Sequence, residues 1–231
     1  MVLEWSEIDT VFLDMDGTLL DLHFDNFFWL SHLPDRYAAQ FPQNQERARL
    51  ELHQQIISRR GTLPWYCTDF WSEHLGLDVI ALKRQISHLI KQRPYSIDFL
   101  QALASDGKAR VLLTNAHRDS VDLKFSVTGI DAHLDNVISS HDFGHPKESQ
   151  LFWQALQQSV PFDKNRVLFV DDSESVLSAA RDYGIKHLLR IAKPDSQKPA
   201  VLESSFPSIV DFDQLLSVAG DLLYDDCDET K

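Results

Sequence analysis

A short apolar segment that ends in two aspartates constrains the fold of this chain more than any other feature. Residues Thr10 to Leu13 are apolar and partly β-branched, and they lead into Asp14, Asp16 and Gly17 in the sequence VFLDMDGT. This pattern predicts a buried strand that delivers Asp14 to its carboxyl end before the chain turns at Gly17. Because carboxylates are costly to bury without a positive group beside them, the segment also indicates a bound cation or a reaction.

Three later segments repeat the strand pattern, and helical patterns separate them. The strands are predicted over residues 110–114, 166–170 and 187–191, and the helices over 96–105, 147–158 and 173–183. Gly184 follows the last helix as a stop signal. Short apolar strands that alternate with helices indicate a parallel sheet with helices on both faces. The sequence therefore predicts an α/β fold with a Rossmann-like sheet.

Residues 22–93 lack the strand pattern and show helical patterns instead. One helix is predicted from a cap at Asn44 to Gly61, and another over 77–92, before Pro94. An all-helical insertion of this kind is consistent with a small subdomain. We expect a catalytic core of residues 1–21 and 94–231, an inserted α-helical cap of residues 22–93, and a flexible tail over 225–231.

Composition limits the partners that the chain can have. The 231 residues include 22 Lys and Arg against 35 Asp and Glu, for a net charge of −13. This charge argues against a nucleic-acid polymer or an anionic membrane as partner. Cys67 and Cys227 do not suggest a disulfide framework, and neither a secretory signal nor a run of ~20 apolar residues is present. We expect a cytoplasmic protein that binds a small molecule, with its oligomeric state left open.

Asp14 and Asp16 lie two residues apart, so their side chains share a face if both continue the strand. One carboxylate can then attack an electrophile while the other handles a proton, and a divalent cation reduces their mutual repulsion. An isolated D-x-D pair most often caps a turn or a helix, however. The choice between these interpretations depends on the ends of the other strands.

Polar residues also follow the second and third predicted strands. The Thr114 hydroxyl and the backbone N–H groups from Asn115 onward form a candidate anion-binding site. Lys147 opens the predicted helix 147–158, from which its ammonium can reach a phosphate over the strand ends. Asp171 and Asp172 end the most apolar strand, and a second acidic pair at this depth is hard to explain without a cation. Together these residues favour a reaction site.

In chain order the motifs are DMDGT, LLTNAH, GHPKES and VLFVDDSES. This set closely resembles that of the haloacid dehalogenase-like hydrolases. The resemblance implies that Asp14 is a nucleophile that becomes phosphorylated, and that Asp16 is the general acid for the leaving oxygen and the base for the attacking water. It also implies that Thr114 and Lys147 bind the phosphate.

The same resemblance implies a Mg²⁺ cofactor. Its ligands are then the Asp14 carboxylate, the Asp16 backbone carbonyl and Asp172, with Asp171 bound through water. Dehalogenases need no acid for a departing alkoxide, so the presence of Asp16 points to the phosphatase and phosphomutase branches. Asp21 needs no catalytic role and is interpreted as a polar group where the chain leaves the sheet.

Segments outside the catalytic motifs narrow the resemblance to one class of substrate within this superfamily. The insertion segments DLHFDNFFW and WYCTDFWSEHLGLD resemble those of bacterial purine 5′-nucleotidases of this superfamily that act on GMP and IMP. The implied function is Mg²⁺-dependent hydrolysis of purine nucleoside 5′-monophosphates through an aspartyl-phosphate. The alternative is a sugar-phosphate phosphatase or a phosphomutase of the phosphoglucomutase-like type. Candidate base-reading residues are Asn26, Trp65, Tyr66 and His117, each of which is individually more typical of a structural role.

Overall fold

A six-stranded parallel sheet forms the centre of the computed structural model, which describes residues 3–217 and 220–223. The strands are β1 (Thr10–Leu13), β2 (Ala109–Thr114), β3 (Asn136–Ser139), β4 (Val167–Asp171), β5 (His187–Ile191) and β6 (Ser208–Ile209). They lie in the order β3-β2-β1-β4-β5-β6, and every neighbouring pair is parallel. The strand order reverses between β1 and β4, and ligands of such sheets bind in the crevice at the carboxyl ends of these strands.

Helices surround the sheet and fill the segment between β1 and β2. The α-helices of the described residues are α1 (His23–Phe27), α2 (Leu33–Ala38), α3 (Gln45–Ser58), α4 (Leu63–Tyr66), α5 (Thr68–Leu75), α6 (Val79–Gln85), α7 (Ser96–Ser105), α8 (Arg118–Thr128), α9 (Gln150–Ser159) and α10 (Glu174–Tyr183). A π-helical turn, Phe28–His32, joins α1 to α2. Within this part of the chain no helix has the length and apolar character needed to cross a membrane.

Two apolar layers cover the two faces of the sheet. Because successive strand side chains point to opposite faces, Val11 and Leu13 pack in one cluster with Phe99 of α7, and Phe12 packs in the other with Trp153 of α9. All five side chains are fully buried. The structure confirms the predicted α/β fold with helices on both faces.

The helices α1 to α6 have an apolar cluster of their own. Phe28 and Trp71 are fully buried in it, and Leu123 of α8 is the member that comes from the sheet side. We propose the same division of the chain as before, with residues 22–93 as the cap and residues 1–21 and 94–231 as the core. The tail predicted over 225–231 lies outside the described residues.

Two strands and one helix end differ from the sequence predictions. β3 and β6 were not predicted, because β3 has only two apolar residues and β6 is two residues long. The helix predicted over 77–92 is also too long, since α6 ends at Gln85 and a separate 3₁₀ turn follows over Ser87–Leu89.

One helix start also differs from its prediction. The helix predicted from Lys147 begins at Gln150, because the Ser149 side chain caps it by accepting a hydrogen bond from the Leu151 N–H. Lys147 therefore lies in the preceding loop. The helix predicted over 96–105 is α7 and has the predicted bounds, and the hydroxyl of its first residue, Ser96, donates to the Leu19 carbonyl at 2.9 Å.

Candidate active site

The Lys147 ammonium forms hydrogen bonds with two aspartates, Asp14, which follows β1, and Asp171, which ends β4. Its Nζ donates to Asp14 Oδ1 at 2.5 Å, to Asp171 Oδ2 at 2.7 Å and to the Leu113 carbonyl at 2.9 Å. Burial alone lowers the pKa of Lys147, but Asp14 and Asp171 outweigh burial and raise it. The lysine is therefore a fixed positive charge, and each of its three N–H bonds already has an acceptor.

The loop that carries Lys147 is held at both sides. The Lys147 backbone N–H donates to Asn115 Oδ1 at 2.9 Å, and the Trp153 indole N–H donates to the Lys147 carbonyl at 2.9 Å. Thr114 ends β2 beside this loop, and its hydroxyl accepts a hydrogen bond from the Ala116 N–H at 3.0 Å. Two of the predicted phosphate-binding residues are thus in direct contact, and the third is next to Asn115 in the chain.

Three carboxylates form a compact acidic group beside Lys147. One oxygen from each of Asp14, Asp171 and Asp172 lies within 4.8 Å of the other two. Burial raises the pKa of Asp14 to about 6 against the opposing effect of Lys147. Burial, together with Asp171 and Asp14, raises the pKa of Asp172 well above its ordinary value. A charge cluster of this kind calls for a bound cation.

The donor set fits Mg²⁺. Asp171 accepts from Lys147 with one oxygen and from the Ser173 N–H, at 2.8 Å, with the other. The Asp172 carboxylate accepts no hydrogen bond from any part of the chain that the structure describes. Asp172 is therefore free to hold a cation directly, whereas Asp171 is better placed to act through water. Carboxylate and carbonyl oxygens are the ligands that Mg²⁺ prefers.

Gly17 allows the Asp14–Asp16 turn to approach Asp172. Its backbone has φ +91°, a conformation that residues with a side chain rarely adopt. A Cβ atom here would lie 2.8 Å from the Asp172 Cγ and 2.9 Å from the Pro194 Cβ. The glycine is thus required both by the turn and by the close contact.

Asp16 belongs to a second buried network, separate from Lys147. The Lys124 ammonium donates to Asp16 Oδ1 at 2.6 Å and to Asp25 Oδ2 at 2.7 Å. Lys83 donates to Asp25 Oδ1 and to the Ser120 hydroxyl, each at 2.9 Å. Burial raises the pKa of Asp16 to about 7, with Lys124 opposing and Asp25 adding to the shift. A carboxyl group with a pKa near neutrality can both donate and accept a proton.

Lys124, Lys83 and Asp25 were not among the residues predicted from the sequence. Lys124 follows Val121 by three residues on the buried face of α8, and Lys83 follows the buried Leu82 in α6. A lysine at an apolar-face position of a predicted helix was the available signal. Asp25 gave a weaker one, because an acidic residue in a first helical turn is common.

Glu148 is a further residue that sequence reasoning missed. The Tyr66 hydroxyl donates to Glu148 Oε1 at 2.7 Å, and the Asn115 amide donates to Glu148 Oε2 at 3.0 Å. Burial, followed by the Glu148 charge, raises the pKa of Tyr66. Glu148, which follows Lys147 in the chain, therefore connects Tyr66 of α4 to Asn115 in the loop after β2.

A cavity of about 800 Å³ lies over the strand ends. Small-molecule sites have volumes of roughly 300–1,000 Å³. Its wall from the sheet includes Asp14, Asp16, Thr114, Asn115, Lys147, Asp171 and Asp172, and its wall from the helical insertion includes Asn26, Trp29, Arg60, Trp65, Tyr66 and Lys83. Every residue predicted to take part in catalysis, phosphate binding or metal binding thus lines one cavity.

Three of the four candidate base-reading residues also line this cavity, but His117 does not. Asn26 donates from its amide to Asp195 Oδ2 at 2.7 Å. Asp21 lies outside the lining, where its Oδ1 accepts from the N–H groups of His23 and Ser196, both at 3.0 Å. This carboxylate therefore stabilises the start of α1, at the point where the chain leaves the sheet.

Similarity to known proteins agrees with this geometry. Residues 8–184 match the family model described as haloacid dehalogenase-like hydrolase. The chain belongs to this family. It is therefore an enzyme, a hydrolase, and the predicted resemblance is confirmed.

Individual haloacid dehalogenase-like relatives cover nearly the whole chain. The GMP/IMP nucleotidase YrfG of Escherichia coli (strain K12) is 42% identical over 214 residues, which span 93% of this chain and 96% of that protein. A HAD phosphatase from Thermococcus onnurineus has a solved structure that superposes with a TM-score of 0.76 at 20% identity, covering 94% of this chain and 100% of its own. A putative β-phosphoglucomutase from Thermotoga maritima has a TM-score of 0.59 at 19% identity, with 88% and 94% covered. The two solved structures show the same fold.

Proposed function

We propose that the protein is a Mg²⁺-dependent phosphatase that hydrolyses purine nucleoside 5′-monophosphates, GMP and IMP, through an aspartyl-phosphate. The observation that carries the proposal is the contact of Lys147 with both Asp14 and Asp171 beside Asp172, at the floor of one cavity. The 42% identity to a GMP/IMP nucleotidase supports the substrate class, because it extends over 93% of the chain and so includes the helices that line the cavity.

The first half of the proposed reaction forms a covalent intermediate. The Asp14 carboxylate attacks the phosphorus, the ester P–O bond breaks, and Asp16 gives its proton to the leaving alkoxide. The Thr114 hydroxyl, the Asn115 backbone and Lys147 hold the phosphate oxygens. Asp14, Asp172 and the Asp16 carbonyl would hold Mg²⁺, with Asp171 acting through water, and the ion would supply positive charge opposite the phosphate dianion.

The second half releases phosphate. Asp16, now deprotonated, takes a proton from a water molecule whose oxygen attacks the phosphorus, and the bond to Asp14 breaks. The Lys124 ammonium donates to Asp16 at 2.6 Å, so its positive charge stabilises the deprotonated form of this carboxyl group. The enzyme returns to its starting state after phosphate leaves.

Arg60 is the residue that we assign to base recognition. It lines the cavity from the insertion side, and its side chain makes no hydrogen bond or ion pair within the described residues. Arg190, the other arginine of the lining, donates instead to the carbonyls of Val201 and Asp172. A guanidinium group pairs in bidentate fashion with O6 and N7 of a 6-oxopurine. Trp29 and Trp65 in the same wall offer planar surfaces for the base.

Phosphate release from a panel of monoesters tests the proposal. We expect Mg²⁺-dependent release from GMP and IMP, suppression by EDTA, and little release from glucose phosphates. Asp14→Asn is expected to lower kcat by at least about 1,000-fold, because loss of a nucleophile removes the covalent route. A sugar phosphate with a higher kcat/KM than every nucleotide would overturn the substrate assignment. Full activity in Asp14→Asn would overturn the covalent mechanism.

A further inference from the structure

A thiol and two imidazoles meet outside the cavity. One ligand atom from each of Cys67, His117 and His141 lies within 4.8 Å of the other two. Cys67 caps helix α5, His117 precedes α8, and His141 lies in the 3₁₀ turn after β3. The two imidazole rings meet edge-on, with centroids 5.0 Å apart and an angle of 84° between their planes. None of the three residues lines the cavity, so this cluster is distinct from the acidic group at Asp14.

His141 has a buried ring nitrogen without a partner. Its Nε2 accepts and donates no hydrogen bond within the described residues. Burial and the neighbouring His117 lower the pKa of His141 to about 4, while a hydrogen bond to the Asn115 backbone opposes them. The ring is therefore neutral near pH 7. A neutral imidazole with one nitrogen fastened to a backbone carbonyl and the other free has the usual arrangement of a metal-binding histidine.

A carboxylate lies beside one of these ligand atoms. His117 Nδ1 is paired with the Thr68 hydroxyl at 2.8 Å, which leaves Nε2, and the Asp69 Oδ2 lies 3.6 Å from it. In a tetrahedral zinc site neighbouring ligand atoms are about 3.3–3.6 Å apart, given Zn–N and Zn–S bonds of roughly 2.0–2.3 Å. The ligand atoms of Cys67, His117 and His141 lie within 4.8 Å of one another, and the exposed Asp69 carboxylate lies beside one of them, so side-chain rotation is sufficient to form a four-ligand set.

We propose that Cys67, His117, His141 and Asp69 bind one transition-metal ion of the Zn²⁺ type. Thiolate and imidazole ligands favour such an ion over Mg²⁺, which prefers oxygen. Binding releases the thiol proton of Cys67. Cys67 and Asp69 belong to the helical insertion, whereas the two histidines lie in loops after β2 and β3. The ion therefore joins the insertion to the sheet side of the molecule.

Cobalt titration of the full-length protein tests the site. With Co²⁺ as the probe we expect a thiolate-to-cobalt charge-transfer band that saturates at one equivalent and disappears when Zn²⁺ is added. The carboxylates at Asp14 cannot produce this band, because they include no sulfur. Cys67→Ser is expected to abolish the band and to weaken Co²⁺ binding by at least about 100-fold, since even loss of an outer partner weakens metal sites by ~10–100-fold.

Serine at position 67 is a well-matched change, because a serine side chain can replace the Cys67 Sγ as acceptor for the Phe70 N–H that caps α5. Cys227→Ser, which removes the other cysteine of the sequence, is the control and is expected to leave the band unchanged. His141→Gln gives an independent test, with an expected loss of Co²⁺ affinity of at least about 10-fold. Circular dichroism verifies that each variant is folded. Absence of the band in the wild type, or its persistence in folded Cys67→Ser, would overturn the proposal.

Discussion

Replacement of Asp172 by asparagine is expected to stabilise the protein without Mg²⁺ and to remove its stabilisation by Mg²⁺. The Asp172 carboxylate lies within 4.8 Å of oxygens of Asp14 and Asp171, and no described side chain or backbone group donates a hydrogen bond to it. Lys147 donates elsewhere, to Asp14, Asp171 and the Leu113 carbonyl. Asparagine has nearly the same shape as aspartate, so the change removes the repulsion without leaving a cavity.

The expected size of this change in stability can be worked out from the pKa of the neighbouring Asp14. The pKa of the buried Asp14 is raised from 3.8 to about 6. A shift of about two pKa units corresponds to ~3 kcal/mol of unfavourable free energy for the charged form. Burial is the largest cause of this shift, and the Asp171 charge adds to it. Burial, Asp171 and Asp14 in turn raise the pKa of Asp172 well above its ordinary value. We expect Asp172→Asn to increase the free energy of unfolding by about 1–3 kcal/mol near pH 7.5, or roughly 2–10 °C in melting temperature for a chain of this size.

The pH dependence has a definite sign. Between its unfolded and folded pKa values, a carboxyl group with a raised folded pKa binds more protons in the folded state than in the unfolded state. Asp14 titrates at about 6 and Asp16 at about 7 in the folded protein, against 3.8 when unfolded. Without Mg²⁺, wild-type stability should therefore fall as the pH rises from about 4 to about 7. The advantage of Asp172→Asn should grow over the same range and vanish below it.

Thermal unfolding followed by circular dichroism measures these effects, with EDTA and with Mg²⁺. At a Mg²⁺ concentration 100 times its Kd, the wild type should gain about 2.7 kcal/mol, and Asp172→Asn should gain much less. Asp122→Asn, an exposed change of the same charge on α8, is the control and should stay within ~0.5 kcal/mol of the wild type. Destabilisation by Asp172→Asn at pH 7.5 without Mg²⁺, or equal stabilisation of both proteins by Mg²⁺, would refute the reasoning.

Three other substitutions test separate parts of the site. Lys124→Met leaves the buried Asp16 and Asp25 without this cation, so the free energy of unfolding measured in urea should fall by about 3–5 kcal/mol. A fall below ~1 kcal/mol would contradict the assigned contacts. Gly17→Ala should lower the free energy of unfolding by about 1–3 kcal/mol, because the backbone at this position has φ +91°. The same variant should need more Mg²⁺ for half-maximal activity, and an unchanged Mg²⁺ titration would disprove this expectation. Arg60→Gln should raise the KM for GMP by about 5–150-fold and leave hydrolysis of p-nitrophenyl phosphate, which has no purine base, unchanged. Equal effects on both substrates would exclude recognition of the base by Arg60.

The sequence predicted the polar groups at the strand ends because parallel strands bring their carboxyl ends to one edge of the sheet. Asp14 after β1, Thr114 at the end of β2 and Asp171 at the end of β4 therefore had to lie close together once the strands were recognised. Lys147 could be placed by resemblance only, since it lies in a loop and its approach depends on Asn115 and Trp153. The two missed strands lie at the edges of the sheet and do not alter this arrangement.

Contacts between the insertion and the rest of the chain could not be predicted in this way. The contact of Tyr66 with Glu148 and the approach of Cys67 to His117 join residues far apart in the sequence. Hydrophobic periodicity indicates which face of a helix is buried, but it does not indicate which other element covers that face. The partner of a side chain on such a face can therefore be identified only when the packing of the helices and strands is known.

The buried network around Asp16 shows why this limitation affects function. Lys124 comes from the sheet side, whereas Asp25 and Lys83 come from α1 and α6 of the insertion. Two carboxylates and two ammonium groups balance one another there, and removal of one partner from such a buried set is costly, at about 3–5 kcal/mol. Movement of α1 and α6 away from α8 would separate Lys124 from Asp25 and leave Asp16 as the only carboxylate paired with Lys124. Since Asp25 raises the pKa of Asp16, that movement would lower it. The protonation of the proposed acid is thus tied to the position of the helices that enclose the substrate.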